Sequence, residues 1–366
     1  MRFFLLLFLT WPDSSSTFAK ALNFSSLRNP QHDQSIHDIH TVKHLPSNKS
    51  FHPRDRRINA VPSAYHLDIS VHPESGLIEG KNTISFKLKD PQNPTLSLDA
   101  GHMRIKAVHD KHRMPLGFDY DGKTLNIELP LHQTNEQQAV TIHYEALRSQ
   151  SFFLTGPDAS NPNRSNSSYT FTQPEGSQHW FPCIDRPNAK ALLDIKIATP
   201  EAYKALSNGL LISEKSLAGI TRYHYRMDFP VAPYLISLAV GEFEVHELGT
   251  YQNKPLKLWS PPAIAHAALK EVSNTAKIME AIEEFTGVSY PFSSYSQAVA
   301  QAWSSSMEHQ SATTMGGWRI RGDLSGEGVV AHELAHQWFG DWVTCESWKE
   351  MWLNEGFASY SLSYLG

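Results

Sequence analysis

From about residue 60 the chain alternates between apolar and polar positions. Tyr65, Leu67, Ile69 and Val71 recur at every second position, with polar residues between them. The same period runs through Ile84, Phe86 and Leu88, through Leu125, Ile127 and Leu129, and through Val140, Ile142 and Tyr144. It returns in Leu193, Ile195 and Ile197, and in Tyr223, Tyr225, Met227 and Phe229. A period of two places each set on one face of a strand. Turn signals separate the runs: "PESG" at 73–76, "DPQNP" at 90–94 and "DYDG" at 119–122. The pattern predicts an antiparallel β domain with one face of each strand buried. "YLISLAVGEFEV", 234–245, reads as its last and most fully buried strand.

After about 260 the period becomes helical. Leu269, Val272, Ala276, Met279, Ile282 and Phe285 share one face, and Gly287 is a suitable stop. A further helix carries "VVAHELAHQWFGDWV", 329–343, and another begins near Leu353. The predicted fold class is therefore α+β, with the strands first.

The first 57 residues follow neither pattern. Arg2 precedes an apolar run at 3–9, and "AKA" at 19–21 is a small-x-small cleavage signal. This predicts a signal peptide over 1–21 and an exported protein, periplasmic or extracellular. The run is too short to span a bilayer as a helix, which takes about 20 residues, and no later stretch does so. Residues 22–57 form a polar, histidine-rich linker. The predicted domains are a β domain over 58–250 and a second domain, containing the helices, over 251–366.

A net charge of −5 among 366 residues gives no reason to expect nucleic acid as a partner. Export permits disulfides, but there are only two cysteines, Cys183 and Cys345, in segments assigned to different domains. They are expected to be free, buried thiols. Sequons at Asn23, Asn48, Asn163 and Asn166 matter only in a host that glycosylates. Oligomeric state is not encoded in any pattern found.

The chemistry concentrates near the end of the chain. His332 and His336 lie four apart, so on a helix their imidazoles sit one above the other and can share one ion. Zinc suits them, because it accepts neutral imidazole and favours four-coordination. Glu333 lies about 100° further round the helix than His332. That places it beside the ion, where it can take a proton from water. Glu355 follows His336 after eighteen intervening residues, on what reads as the next helix. It supplies a third ligand and leaves a fourth position open, as a catalytic zinc requires. A structural pair of histidines is the bland alternative, but the apolar, helix-compatible flanks and the placed glutamate argue against it.

With that spacing, "VVAHELAHQWFGDWVTCESWKEMWLNEGFASY" resembles the zinc-binding segment of the gluzincin aminopeptidases of the aminopeptidase N type. "VPSAYHLDISVHPESGLIEGKNTISF" resembles the opening of that family's β-saddle domain. "TQPEGSQHWFPCIDRPNAKA" resembles its link to the active site, and "YPFSSYSQAVA" the lead-in to its exopeptidase strand. The resemblance implies an N-terminal β-saddle domain followed by a thermolysin-like zinc domain. It implies one Zn2+ per chain, hydrolysis of an N-terminal peptide bond, and peptides with a free N-terminus as substrate. Glu333 is implied as general base, and His332, His336 and Glu355 as ligands. Glu308 and Glu175 are implied as partners of the substrate's ammonium group, with Gln173 beside Glu175. Such a compact cation is best matched by carboxylates.

The exopeptidase motif departs from the family at Ser305, usually Gly, and at His309, often Asn. Ser305 would matter if the backbone there needs φ > 0. Family members continue well beyond this length and carry a later tyrosine that stabilises the oxyanion. The expectation is therefore a C-terminally truncated form, with Tyr360 and Tyr364 as packing residues on a helix whose apolar face stays exposed. Two other functions remain open: a zinc-retaining, inactive peptide-binding module, and a gluzincin endopeptidase. Glu350 is a candidate acceptor for a histidine ligand's second N–H.

Overall fold

The computed structural model describes residues 59–130 and 137–365. The expected signal peptide and linker lie outside the described residues. So do Asn23 and Asn48.

The alternating runs form a seven-stranded sheet. Its strands are β1 (Ala60–His72), β2 (Leu77–Leu88), β3 (Arg104–Asp110), β4 (Gln138–Ala146), β5 (Ala191–Pro200), β6 (Leu210–Leu217) and β7 (Ile220–Val231). Their order in space is β6-β7-β5-β1-β2-β4-β3. All neighbours pair antiparallel except β1 and β5, which run parallel, Leu67 opposite Ile195. That one pair joins chain segments more than a hundred residues apart, which no local pattern announces. The expected inward residues are buried, with Tyr65, Ile84, Phe86, Ile142 and Ile195 fully enclosed. Each such side chain contributes about 1.5–3 kcal/mol by leaving water. Gly80 lies opposite Tyr144 in the register, and a Cβ there would collide with the tyrosine ring.

Phe229 breaks the pattern and is exposed. Leu193 pairs with Met227 but Ala191 pairs with Val231, so the chain bulges between them. The bulge moves Phe229 out of the alternation, and Val231 takes the buried place.

The expected strand at 234–245 is not one strand. Pro233–Leu235 forms a 3-10 turn, Ala239–Gly241 pairs in a small four-stranded sheet, and Glu244 opens a different sheet. Side chains replace ladder partners here. Asn208 Oδ1 accepts from Ser237 N–H at 2.8 Å, and Thr170 Oγ1 accepts from Leu238 N–H at 3.0 Å. Burial on every side explains the apolar run without a strand.

The second sheet contains β8 (Glu244–Tyr251), β9 (Lys254–Ser260), β10 (Tyr295–Ala300) and β11 (Ala312–Gly316), in that order. β8 and β9 form a hairpin, and β9, β10 and β11 run parallel. A domain boundary at 250/251 would cut β8 inside that hairpin. A division before Glu244 leaves the pairing whole.

The described residues include four α-helices: α1 (Ala265–Glu271), α2 (Thr275–Thr286), α3 (Glu327–Ala335) and α4 (Trp352–Leu365). The single helical period expected before Gly287 is split between α1 and α2. Ser273 and Thr275 hydroxyls donate to the carbonyls of Lys270 and Val272, competing with helix bonds at the break. Gly287 ends α2 as expected, at φ 66°, its N–H on Glu283 O. On α4, Tyr360 and Tyr364 pack against Phe285 yet stay half exposed. Cys183 and Cys345 are free and buried, as expected.

Candidate metal centre and substrate cleft

α3 carries Glu333 and presents His332 and His336 from consecutive turns, and α4 brings Glu355 against them from its first turn. His332 Nε2 and His336 Nε2 lie 3.0 Å apart. Glu355 Oε2 is 3.3 Å from the first and 3.4 Å from the second. A zinc tetrahedron with bonds of about 2.05 Å has edges of about 3.3 Å, so the three donors already stand near its corners. Glu355's side chain is 42 % exposed, so solvent reaches this edge of the donor set. No other group of three or more such donors gathers among the described residues.

His336 is held by its own turn. Its Nδ1–H donates to Phe339 O at 2.9 Å, which fixes the tautomer and leaves the Nε2 lone pair for an ion. Gly340, at φ 132°, closes that turn, and a Cβ there would press on His336 Nδ1 and Asn354. His332 Nδ1 is buried with no hydrogen-bond partner. Glu350 is not the acceptor proposed for a histidine N–H: Ser347 Oγ donates to its carboxylate instead, at the start of the short turn before α4.

The electrostatics ask for a cation. Burial lowers His336's proton affinity, but Glu308, Glu355 and Glu333 together raise it well above the ordinary histidine range. Burial opposes ionisation of Glu355, yet His336 and His332 hold it below the usual carboxylate range. A positive charge between these donors answers both, and two neutral imidazoles with one carboxylate are a donor set that zinc accepts.

Glu308 is buried just before β11, with burial and then Glu355 pushing its carboxyl up against the pull of His336. Gln173 Nε2 donates to Glu308 Oε1 at 3.2 Å, so the structure brings these two predicted residues together. Glu175 Oε1 accepts from Arg186 Nη1 at 3.0 Å. His309 is fully buried, its Nδ1 3.1 Å from Thr314 Oγ1. Ser305 is exposed and does not occupy the left-handed region, whereas Ser311 does, at φ 61°.

Several residues of the site carried no signal in spacing or period. Tyr234 is fully buried and accepts from Asn354 Nδ2 at 3.0 Å, next to Glu355 in sequence. Asp341 is buried with neither carboxylate oxygen hydrogen-bonded, and burial, then Glu308, pushes it well up. Lys190 Nζ donates to the carbonyls of Asp341 and Trp342, at 2.7 and 3.1 Å, and burial pulls it down to about 8. Lys190 thereby fastens the 172–191 link to the turn after α3. Gln337 was within the quoted motif but had no assigned role.

A β domain feeding an HExxH helix whose third donor comes from the next helix is the arrangement expected of the gluzincin type. Family comparison makes that specific. Residues 61–235 match the peptidase M1 N-terminal domain and residues 270–365 match the peptidase family M1 domain. The chain belongs to the M1 peptidase family. It is 33 % identical to the glutamyl aminopeptidase of Sus scrofa over 205 residues, 53 % of this chain and 22 % of that protein. It is 26 % identical to the glutamyl aminopeptidase of Bitis rhinoceros over 326 residues, 82 % of this chain and 34 % of that one. The chain therefore spans between about a fifth and a third of these relatives. A mutant M1 zinc metallopeptidase from Deinococcus radiodurans, bound to a Tyr-Ser-Ala substrate, shares the fold. Its TM-score is 0.72 at 23 % identity, covering 84 % of this chain and 71 % of that one. Zinc is this family's metal, and the donors here fit it.

Proposed function

We propose that this protein is a zinc-dependent aminopeptidase acting on peptides with a free N-terminus. The observation that carries the proposal is the convergence of His332, His336 and Glu355 within 4.8 Å of one another, with Glu333 and Glu308 buried beside them. His332, His336 and Glu355 hold the metal. When bound, zinc supplies Lewis acidity that polarises a peptide carbonyl and eases deprotonation of water. Glu333 accepts the proton from water and returns it to the leaving amine. Glu308 binds the substrate's ammonium through a charge-assisted hydrogen bond, and Gln173 orients its carboxylate. Glu175 is the second ammonium partner, its carboxylate steadied by Arg186. An ammonium site beside the metal donors, which act electrostatically on Glu308, would restrict cleavage to the first residue.

The domains proposed are the β domain from 58 and the zinc domain after it, with the hairpin β8–β9 in the latter. No helix among the described residues is long and apolar enough to cross a membrane. The N-terminal sequence supports export and cleavage of residues 1–21.

Glu333→Gln should keep stoichiometric zinc and lose about 10²–10⁴-fold in hydrolysis of aminoacyl anilides. Turnover equal to wild type in that variant would remove Glu333 from the role. Hydrolysis of N-acetylated peptides at the same rate as free ones would make the protein an endopeptidase.

A further inference from the structure

Residues 308–311 are held between two fully buried side-chain amides. From the β domain, Asn208 Nδ2 donates to Gln310 O at 2.6 Å and to Leu235 O at 2.8 Å. From the end of the metal-binding helix, Gln337 reaches the same segment. Its Oε1 accepts from Ser311 N–H at 2.7 Å. Its Nε2 donates to Glu308 O at 3.1 Å and to His309 O at 3.4 Å. Gln337 is the next residue after His336. One side chain therefore ties the backbone of the ammonium-binding glutamate to the backbone of a metal donor.

We infer that Gln337 is a positioning residue that sets the distance between Glu308 and the metal donors, and so restricts recognition to substrates with a free N-terminus; this rests on the aminopeptidase function proposed above. Three features support it. All three side-chain hydrogen bonds of Gln337 go to residues 308–311. Ser311 is buried in the left-handed region, a conformation a serine adopts only where its surroundings impose it, and its N–H is one of the groups Gln337 holds. Among the described residues the Glu308 carboxylate receives one side-chain bond, from Gln173, so its place in the site depends on its backbone, which Gln337 holds. A shift of about 1 Å in such a constellation is enough to cost on the order of 10²-fold.

The test uses the zinc-loaded full chain and two probes, alanine hydroxamate and N-acetyl-alanine hydroxamate, titrated by calorimetry. Both offer the same metal-binding group, but only the first carries an ammonium. Wild type should favour the free amine by about 10- to 100-fold, the worth of one charge-assisted hydrogen bond. Gln337→Met should compress that ratio to about threefold or less while the affinity for the acetylated probe stays within about twofold. A purely structural role would lower the melting temperature and leave the ratio in place. An unchanged ratio in Gln337→Met overturns the inference and leaves the aminopeptidase function standing. A wild-type ratio near one overturns that function and the inference with it. Should Gln337→Met fail to fold, Gln337→Glu keeps the acceptor for Ser311 and removes both donated bonds. The same ratio then decides, compressed in support or unchanged against.

Discussion

The metal corner and the proposed ammonium corner of the site are built in opposite ways. His332, His336 and Glu355 come from two consecutive helices, and His336 is oriented by a carbonyl three residues away. Glu308, Gln173 and Glu175 come from segments more than a hundred residues apart, and buried amides from two further segments hold Glu308 in place. The first corner is a local device whose geometry follows from helical repeat. The second exists only when the sheets, the link and α3 are all assembled. Removing one element should therefore damage the corners separately.

The largest separation is expected from His332→Ala. Structural zinc sites are worth about 10–16 kcal/mol over four donors, so losing one donor should weaken zinc by about 10²–10³-fold. Competition against a chelator measures this. The buried contacts around 308–311 do not involve His332, so protection of the Ser311 amide in hydrogen exchange should persist. Loss of that protection together with zinc would mean that the two corners fold as one unit.

The same contrast decided what could be read from sequence. The strand faces were legible because Tyr65 to Val71 and their counterparts repeat every second residue over whole strands. The metal donors were legible because four residues make one helical turn. Phe229 misled because a bulge lifts one residue out of the alternation without changing composition, and the phase resumes at Val231. The segment 234–245 misled because apolar runs look alike in a strand and in a fully enclosed turn. Glu308 was singled out through family resemblance alone, and its role is a proposal. Asn208 and Gln337 were not found, because an amide that bonds backbone groups a hundred or thirty residues away leaves no periodic trace. The parallel pairing of β1 with β5 is hidden for the same reason.

Two buried histidines, one in each corner, should answer acid differently. Around His336 the carboxylates reverse the effect of burial. Around His309 burial acts alone and pulls the imidazole down to about 3. Its folded value lies below its unfolded value of about 6.5, so the unfolded chain takes up the proton first as pH falls. His309 therefore contributes stability that is fully present above about pH 6.5 and is progressively lost down to about pH 3. Between pH 7 and pH 5 the loss should be about 2 kcal/mol. Denaturant midpoints at the two pH values should show it in wild type, and His309→Asn should flatten the slope by that amount. An identical slope in both proteins would place the acid sensitivity elsewhere.

The smallest effect should come from Ser305→Gly, although this position departs from the family's motif in the residue type that usually matters most. A glycine is needed where φ is positive or where a Cβ has no room. Ser305 meets neither condition: it lies outside the left-handed region, and its side chain is exposed. The close approach in this part of the cleft is made by its carbonyl, which faces Gly316, where an added Cβ would come within 2.6 Å of Ser305 O. The space has been kept on the partner strand rather than in the motif. Ser305→Gly should therefore move stability by no more than about 0.5 kcal/mol, as surface substitutions do. Gly316→Ala, by contrast, should be destabilising and should displace the segment leading to Glu308. If Ser305→Gly instead sharpened discrimination between the free and acetylated probes, the serine side chain would have to reach the bound substrate, and the ammonium corner would extend further along the cleft than Glu308 and Gln173.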